Sequence, residues 1–175
     1  MEYDRALQIN PAYAKCFYNK GLCLFNLKKL EISLESYNKA IELDPYDNLA
    51  YNNKGNVLFE WNEFTAAIIC YDKAINLNPS YVFAHYNKGI ALCKLNQLDE
   101  AMSCFNTALH LNPNFVHALN NKGVVLCRRN NLDESIQYYD KALTLDPNYE
   151  LAIKNKKEIQ ISKMCKNITQ EKCFL

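Results

Sequence analysis

Proline and glycine recur at one fixed interval along this 175-residue chain. The prolines stand 34 residues apart, at Pro11, Pro45, Pro79, Pro113 and Pro147. The glycines keep the same interval, at Gly21, Gly55, Gly89 and Gly123. A fold with irregular turns scatters such residues, whereas a constant period of this size is typical of one supersecondary unit stacked on copies of itself. The period therefore predicts a repeat array.

Each period contains two apolar stripes with the i, i+3, i+4 spacing of an α-helix. The stripes predict complete units at residues 14–47, 48–81, 82–115 and 116–149. The first helices are predicted at Ala14–Leu27, Asn48–Trp61, Val82–Leu95 and Val116–Arg129. The second helices are predicted at Leu30–Leu43, Phe64–Leu77, Leu98–Leu111 and Leu132–Leu145. Short polar turns join the two helices of a unit, which must therefore run antiparallel, and each proline ends a second helix. The predicted fold class is an all-α solenoid of antiparallel helix pairs.

The two ends of the array depart from this pattern. Residues 1–13 match only the second helix of a unit and are predicted to be a partial repeat. Residues 150–164 begin another first helix, but Lys157 stands where the other units have glycine, and nearby lysines make one face polar. A solenoid needs such a helix to close its apolar end in water, so we predict a capping helix there and a loose tail at residues 165–175.

Small and large residues occupy separate columns of the repeat. Glycine in the middle of a helix costs about 1 kcal/mol relative to alanine, so the glycine column predicts a close approach by a neighbouring helix. Two further small columns are Ala40, Ala74, Ala108 and Ala142, and Ser33, Ala67, Ala101 and Ser135. A large column holds Tyr37, Tyr71, Phe105 and Tyr139. Small columns facing large ones predict ridge-into-groove packing that is repeated from unit to unit.

Composition limits what the chain can bind. The formal net charge is +1, which argues against nucleic acid or an anionic membrane as the main partner. The sequence shows no signal segment at its start and no apolar run of about 18 residues, so we expect a cytoplasmic location. Eight cysteines invite a disulfide or metal interpretation as well as a structural one, but none forms a Cys-x-x-Cys pair and several recur at repeat spacing. We expect reduced, structural thiols, no metal and no cofactor.

The columns together resemble the tetratricopeptide repeat, whose unit has 34 residues. Glycine, leucine three residues later, alanine or serine, an aromatic residue, alanine and proline keep one phase from residue 1 to about residue 155. The resemblance implies a right-handed superhelix with the first helices along its concave side, and it implies a protein-binding role. The chain departs from the family at His85, which stands at a usually apolar position.

One column of the first helices is a ladder of asparagines: Asn19, Asn53, Asn87 and Asn121. A side-chain amide both donates and accepts, so such a row can hold the backbone of an extended peptide. The ladder is similar to that in the repeats of O-linked N-acetylglucosamine transferase, where it holds substrate peptides. The alternative to peptide binding is that these asparagines form hydrogen bonds locally or to water.

Neighbouring columns of the first helices supply further candidates for peptide binding. They are Asn52, Asn56, Phe59, Phe83, Tyr86, His117 and Asn120. Aromatic side chains on a concave wall suit a partner segment with apolar anchors, and packing against the next helix is the alternative for them. A lysine column at Lys20, Lys54, Lys88 and Lys122 is expected to be solvated or to form ion pairs within a repeat.

Co-chaperones of the family clamp a C-terminal carboxylate with lysine and asparagine on one first helix, asparagine on the next, and lysine and arginine on the third. This chain has asparagines and a histidine there, at Asn52, Asn56, Asn87, His117 and Asn121, and lacks every one of those cations. Because charged donors hold a carboxylate more strongly than amides do, binding of chaperone tails is not expected.

No constellation of catalytic residues is evident in the sequence. Each glycine is alone inside a helix, which excludes a phosphate-binding loop, and the histidines lie at unrelated spacings. We therefore favour a non-catalytic scaffold that binds a peptide segment of a partner protein. The alternative is a targeting module of, or beside, a larger enzyme such as a glycosyltransferase or kinase. The partial repeat also predicts end-to-end self-association through Tyr3 and Leu7.

Overall fold

The structure, a computed structural model, describes the backbone of residues 13–172 and the side chains of residues 13–163. In that range the chain forms nine α-helices and no strand. They are α1 (Ala14–Asn26), α2 (Leu30–Leu43), α3 (Asn48–Glu60), α4 (Phe64–Leu77), α5 (Val82–Lys94), α6 (Leu98–Leu111), α7 (Val116–Arg128), α8 (Leu132–Leu145) and α9 (Glu150–Lys172). The predicted partial repeat and its self-association residues, Tyr3 and Leu7, lie outside the described residues.

The helices fall into two compact units, residues 1–97 and residues 98–175. The first unit contains α1 to α5, and α1 pairs with α2 as α3 pairs with α4. The second contains α6 to α9, where α7 pairs with α8 and α9 packs on α8. The all-α architecture of consecutive helix pairs confirms the predicted fold class. The predicted repeat at 82–115 contributes its first helix to one unit and its second helix to the other.

The second helices have the predicted bounds, and each first helix of a complete repeat ends one residue before its predicted end. A residue with left-handed backbone follows each of these first helices: Lys28 (φ 57°), Asn62 (φ 62°), Asn96 (φ 62°) and Asn130 (φ 60°). The next residue reaches back to the helix, as when Lys29 N–H donates to the Leu24 carbonyl at 2.9 Å. This pattern is the Schellman motif, and it sets the tight reversal into the second helix.

An aspartate or asparagine side chain closes each turn between repeats. The Tyr46 N–H donates to Asp44 Oδ1 at 3.1 Å, and the Ser80 N–H donates to Asn78 Oδ1 at 3.2 Å. The same bond joins Asn114 to Asn112 and Asn148 to Asp146, both at 3.1 Å. Each bond spans the proline that ends the second helix, so proline and its preceding residue together fix the turn.

The glycine column makes room for the large aromatic column. A Cβ atom added to Gly55 would lie 2.5 Å from Tyr71 Cε1, and Gly21 and Gly123 stand in the same relation to Tyr37 and Tyr139, at 2.8 and 2.6 Å. The three tyrosines are at most 1 % exposed. The predicted close approach is therefore confirmed at these three glycines, and the neighbour is the tyrosine of the same repeat.

Helix α9 is the last of the described helices and differs from the other first helices. It packs Ala152 and Ile159 against Tyr139 and its neighbours, and it runs to Lys172, past the predicted end near Met164. Lys157 occupies the glycine position of this helix. Ile153 is 45 % exposed, whereas Leu119, its equivalent one repeat earlier, is 5 % exposed. The position that α7 buries at Leu119 is thus exposed on α9.

Candidate functional site

Asparagines on consecutive first helices bond to one another in the first unit. Asn87 Nδ2 on α5 donates to Asn52 Oδ1 at 3.0 Å and to Asn56 Oδ1 at 3.1 Å, both on α3. Asn53 Nδ2 on α3 donates to the Tyr18 hydroxyl on α1 at 3.1 Å. Each bond runs from a ladder asparagine to the preceding first helix. The ladder therefore fastens adjacent repeats together.

Within α3 the network is closed by further amide bonds. Asn53 Oδ1 accepts from Asn52 Nδ2 and from Asn56 Nδ2, each at 3.3 Å. Tyr71 on α4 donates its hydroxyl hydrogen to Asn56 Oδ1 at 3.0 Å. Burial raises the pKa of Tyr71 well above its ordinary value, so this hydroxyl keeps its proton and serves as a donor.

The second unit repeats part of this arrangement. Asn155 Nδ2 on α9 donates to Asn120 Oδ1 on α7 at 3.0 Å, and Asn120 Nδ2 donates to Asn121 Oδ1 at 3.2 Å. Asn120 is 2 % exposed, as its equivalent Asn52 is 3 % exposed. These two predicted site residues are buried, so in this conformation their side chains act through the network rather than by touching a partner.

A cleft of about 180 Å³ opens beside the network in the first unit. Its walls come from three first helices, and Tyr71 lines it from α4. The lining residues are Phe25, Asn56, Phe59, Glu60, Tyr71, Asn87 and Ile90. We call it the first cleft. Of the residues predicted from sequence, it brings together Asn56, Phe59 and Asn87.

A lysine lies at the edge of the first cleft. Lys28 Nζ is 3.2 Å from Glu60 Oε2 and 5.6 Å from the centre of the Phe25 ring. The Lys28 side chain is 70 % exposed and that of Glu60 41 % exposed, so water screens this ion pair strongly. The Glu60 carboxylate and the face of the Phe25 ring thus form a cation-binding position at the cleft edge.

A second cleft, of about 270 Å³, occupies the corresponding place in the second unit. Two repeat lengths along the chain, Asn56 is replaced by Val124, Phe59 by Cys127, Glu60 by Arg128 and Ile90 by Glu158. Tyr139 and Asn155 keep the types of Tyr71 and Asn87. The two clefts share a position in the repeat and differ in charge and in aromatic content.

The remaining predicted site residues line neither cleft. Phe83 is 53 % exposed, with its ring 5.8 Å from that of Tyr81. The exposed His117 lies 5.7 Å from the Phe115 ring and 5.2 Å from the Tyr149 ring. Asn19, Tyr86 and Asn121 are half-buried. Peptide binding by these residues stays a prediction.

Four lining residues of the first cleft were absent from the predicted site. Phe25 and Ile90 stand in the same sequence columns as Phe59 and Asn56, so their column was the available signal. Tyr71 belongs to the core column, and only its contact with Asn56 brings it to the cleft. Glu60 falls at the end of α3, where no periodic signal marks it.

The ion pairs of the lysine column differ from those expected from the sequence. Lys88 pairs with Asp72 and Lys156 with Asp140, each at 2.6 Å, and in both cases the aspartate belongs to the preceding repeat. The prediction of ion pairs within a repeat is therefore wrong for Lys88. These ion pairs join a first helix to the second helix of the preceding repeat, whereas the asparagine bonds join consecutive first helices.

Three other features of the described residues bear on function. No group of three or more metal-ligating side chains comes together between residues 13 and 163. None of the helices over residues 13–172 has the length and apolar character to span a membrane. Cys16 and Cys70 are buried free thiols, and burial raises the pKa of Cys70.

Comparison with known protein families identifies the repeat. Profiles described as tetratricopeptide repeat match residues 14–47 and 86–150, and one described as TPR repeat matches residues 55–95. The chain belongs to the tetratricopeptide repeat family. A search of curated proteins finds no match to its sequence.

Solved structures of tetratricopeptide repeat proteins are similar to this chain. A crystal structure of MamA is 26 % identical, with a TM-score of 0.77 over 83 % of this chain and 85 % of that chain. The first TPR domain of Spaghetti (RPAP3), bound to the HSP90 peptide SRMEEVD, is 28 % identical, with a TM-score of 0.63 over 64 % of this chain and 89 % of that chain. The Cut9–Hcn1 structure of the APC/C gives a TM-score of 0.83 at 21 % identity, over 90 % of this chain and 32 % of that chain, and shows the fold alone.

Proposed function

We propose that this tetratricopeptide repeat chain is a non-catalytic scaffold that holds an extended segment of a partner protein against its first helices. The observation that carries the proposal is the first cleft, which α1, α3 and α5 build together. Its Phe25, Phe59 and Ile90 are half-buried and face an open space of about 180 Å³. Half-buried apolar side chains around such a space suit an apolar anchor of a partner.

Exposed apolar residues extend this surface beyond the cleft. Leu49 on α3 and Phe83 on α5 are 39 % and 53 % exposed. Helical spacing places each of them one turn before the ladder asparagine of its own helix, on the same face. The lining of the cleft holds one carboxylate, Glu60, and no histidine, cysteine or serine, which favours binding over catalysis.

The related RPAP3 domain was solved with a chaperone peptide, which supports peptide binding by this fold. The partner proposed for this chain differs, because its first helices lack the lysines and arginine that the family uses for a terminal carboxylate. The first cleft instead contributes Phe25, Phe59 and the acidic Glu60. A chaperone tail with its own acidic residues would meet repulsion from Glu60.

A displayed library of random 12-residue peptides, selected on the whole chain, tests the proposal. We expect enriched peptides to bind the Ile90→Ala variant roughly tenfold more weakly, because a lost apolar anchor contact typically costs more than 1 kcal/mol. Ile69→Ala is the matched control, since Ile69 is 66 % exposed on the second helix α4, away from the cleft. Peptides that bind both variants equally would contradict the proposal, as would the absence of any enriched peptide.

A further inference from the structure

Most hydrogen-bond donors on the inner surface of the first cleft are already engaged within the protein, and Asn56 Nδ2 uses one of its two hydrogens on Asn53. Asn87 Nδ2 spends both of its hydrogens on Asn52 and Asn56, and the Tyr71 hydroxyl spends its hydrogen on Asn56. Among the described residues, no donor is bonded to Asn87 Oδ1. The network therefore fixes the orientation of the Asn87 amide, which lines the cleft. A group rich in N–H donors would complement this lining.

The mouth of the cleft already attracts a cation of the chain itself. Lys28 Nζ lies on the Glu60 carboxylate and over the Phe25 ring, although its side chain is 70 % exposed. Lys28 is not among the residues that line the cleft. The Lys28 ammonium therefore occupies the cation-binding position at the entrance, and its side chain does not fill the interior of the cleft.

We propose that the first cleft receives an arginine side chain of the partner segment, for which Lys28 is a built-in competitor. The methylene chain would pack on Phe59 and Ile90, and the guanidinium would contact the Glu60 carboxylate and the Phe25 ring. Arginine suits this lining better than lysine does, because its planar group bonds a carboxylate with two hydrogens and stacks on aromatic rings. The proposal rests on the scaffold function and specifies the anchor that the scaffold recognises.

The second cleft supplies an internal comparison. Arg128 stands there in place of Glu60, Cys127 in place of Phe59 and Glu158 in place of Ile90. Both the carboxylate and the aromatic wall of the first cleft are thus replaced. Arginine binding is expected at the first cleft and not at the second.

N-acetyl-L-arginine methylamide is a direct probe, with the neutral isostere N-acetyl-L-citrulline methylamide as its control. Isoleucine methyl groups observed by NMR in the whole chain report on the first cleft through Ile90 and on the second through Ile159. We expect saturable shifts at Ile90 with the arginine probe and binding of the citrulline probe that is roughly tenfold weaker. Glu60→Gln should abolish this difference. Lys28→Ala should tighten arginine binding by about two- to fivefold, because the competing ammonium is gone.

The outcomes separate this inference from the scaffold function. Equal shifts with both probes, no shift at Ile90, or shifts at Ile159 alone would overturn arginine recognition. If library peptides depend on Ile90 but carry no arginine, and the arginine probe leaves Ile90 unshifted, the scaffold stands and the inference fails. If the probe binds with the expected charge dependence and no peptide is enriched, the cleft chemistry stands and the scaffold function fails. Unchanged methyl signals of Ile41 on α2 and Ile75 on α4, which belong to the same unit as Glu60, would show that the Glu60→Gln variant is folded.

Discussion

Asn87 on α5 and Asn52 on α3 are joined by a hydrogen bond of 3.0 Å that crosses from one repeat to the next. Asn52 is 3 % exposed, so water cannot readily replace the donor if Asn87 is removed. Asn87→Ala is therefore expected to lower the free energy of unfolding by about 1–3 kcal/mol, measured by urea denaturation.

Asn19→Ala is the matched control for this substitution, because Asn19 occupies the same column and bonds to no other residue in the described part of the chain. Its expected effect is within about 0.5 kcal/mol. If both variants lose the same free energy of unfolding, the hydrogen bonds of Asn87 contribute no stability beyond that of the asparagine position itself.

The equivalent residues Tyr71 and Tyr37 differ in the hydrogen bonding of their hydroxyl groups. The Tyr71 hydroxyl donates to Asn56, whereas the buried Tyr37 hydroxyl has no hydrogen-bond partner among the described residues. The reason is that Leu22 stands in the first repeat where Asn56 stands in the second. Tyr71→Phe should lower the free energy of unfolding by about 1 kcal/mol, and Tyr37→Phe should leave it unchanged or raise it.

Thermal and urea unfolding of the two tyrosine variants would measure this contrast. The removed atom is the same in both, so the aromatic packing against Gly21 and Gly55 is preserved. A loss in Tyr37→Phe as large as that in Tyr71→Phe would mean that the Tyr37 hydroxyl is satisfied in solution.

The turn inside each repeat predicts an effect at residue 130. Asn130 has a φ of 60°, in the left-handed region that asparagine tolerates better than most residues. Asn130→Lys should therefore lower the free energy of unfolding by about 0.5–1 kcal/mol. Lys28→Asn should raise it by less, because it also removes the exposed ion pair with Glu60. Calorimetry on both variants checks these signs, and a gain in Asn130→Lys or a loss in Lys28→Asn would exclude backbone strain as the cause.

A neutral residue interrupts the ion pairs between repeats. Lys122 Nζ bonds to Asn106 Oδ1 at 2.6 Å, where Lys88 and Lys156 bond to aspartates. Asn106→Asp should raise the free energy of unfolding at pH 7 by up to about 1 kcal/mol, since the new pair would be partly exposed. The gain should shrink in 1 M NaCl, where the screening length falls to about 3 Å. A gain that is insensitive to salt would point to a cause other than the ion pair.

Periodicity made the helices and the core predictable. The second helices begin and end where the apolar stripes and prolines place them, because every repeat carries the same signal in the same phase. The glycine column also predicted a close helix contact, since a mid-helix glycine is unfavourable unless a neighbouring group needs the space. Only the packed structure shows that this neighbour is the tyrosine of the same repeat.

The site was less predictable, because its contacts join residues about one repeat apart in sequence. The ladder asparagines could be found from their spacing, but their partners depend on how far one first helix is rotated against the next. The Lys88 ion pair was assigned to its own repeat because sequence spacing does not show which side of α5 faces the second helix of the preceding repeat. The position before each ladder asparagine holds Tyr18, Asn52, Tyr86 and Asn120 in turn, and this alternation was the sequence signal for the network.

Lys157 on α9 sets a limit on how this array can be lengthened. A Cβ at the equivalent glycines would lie within 2.8 Å of a tyrosine ring, so a helix that carries tyrosine in that column cannot dock on α9 as α8 docks on α7. Any engineered extension by further copies of the unit must first restore glycine at residue 157. The side chain at residue 157 therefore controls whether α9 can receive a second helix of the kind that α7 receives.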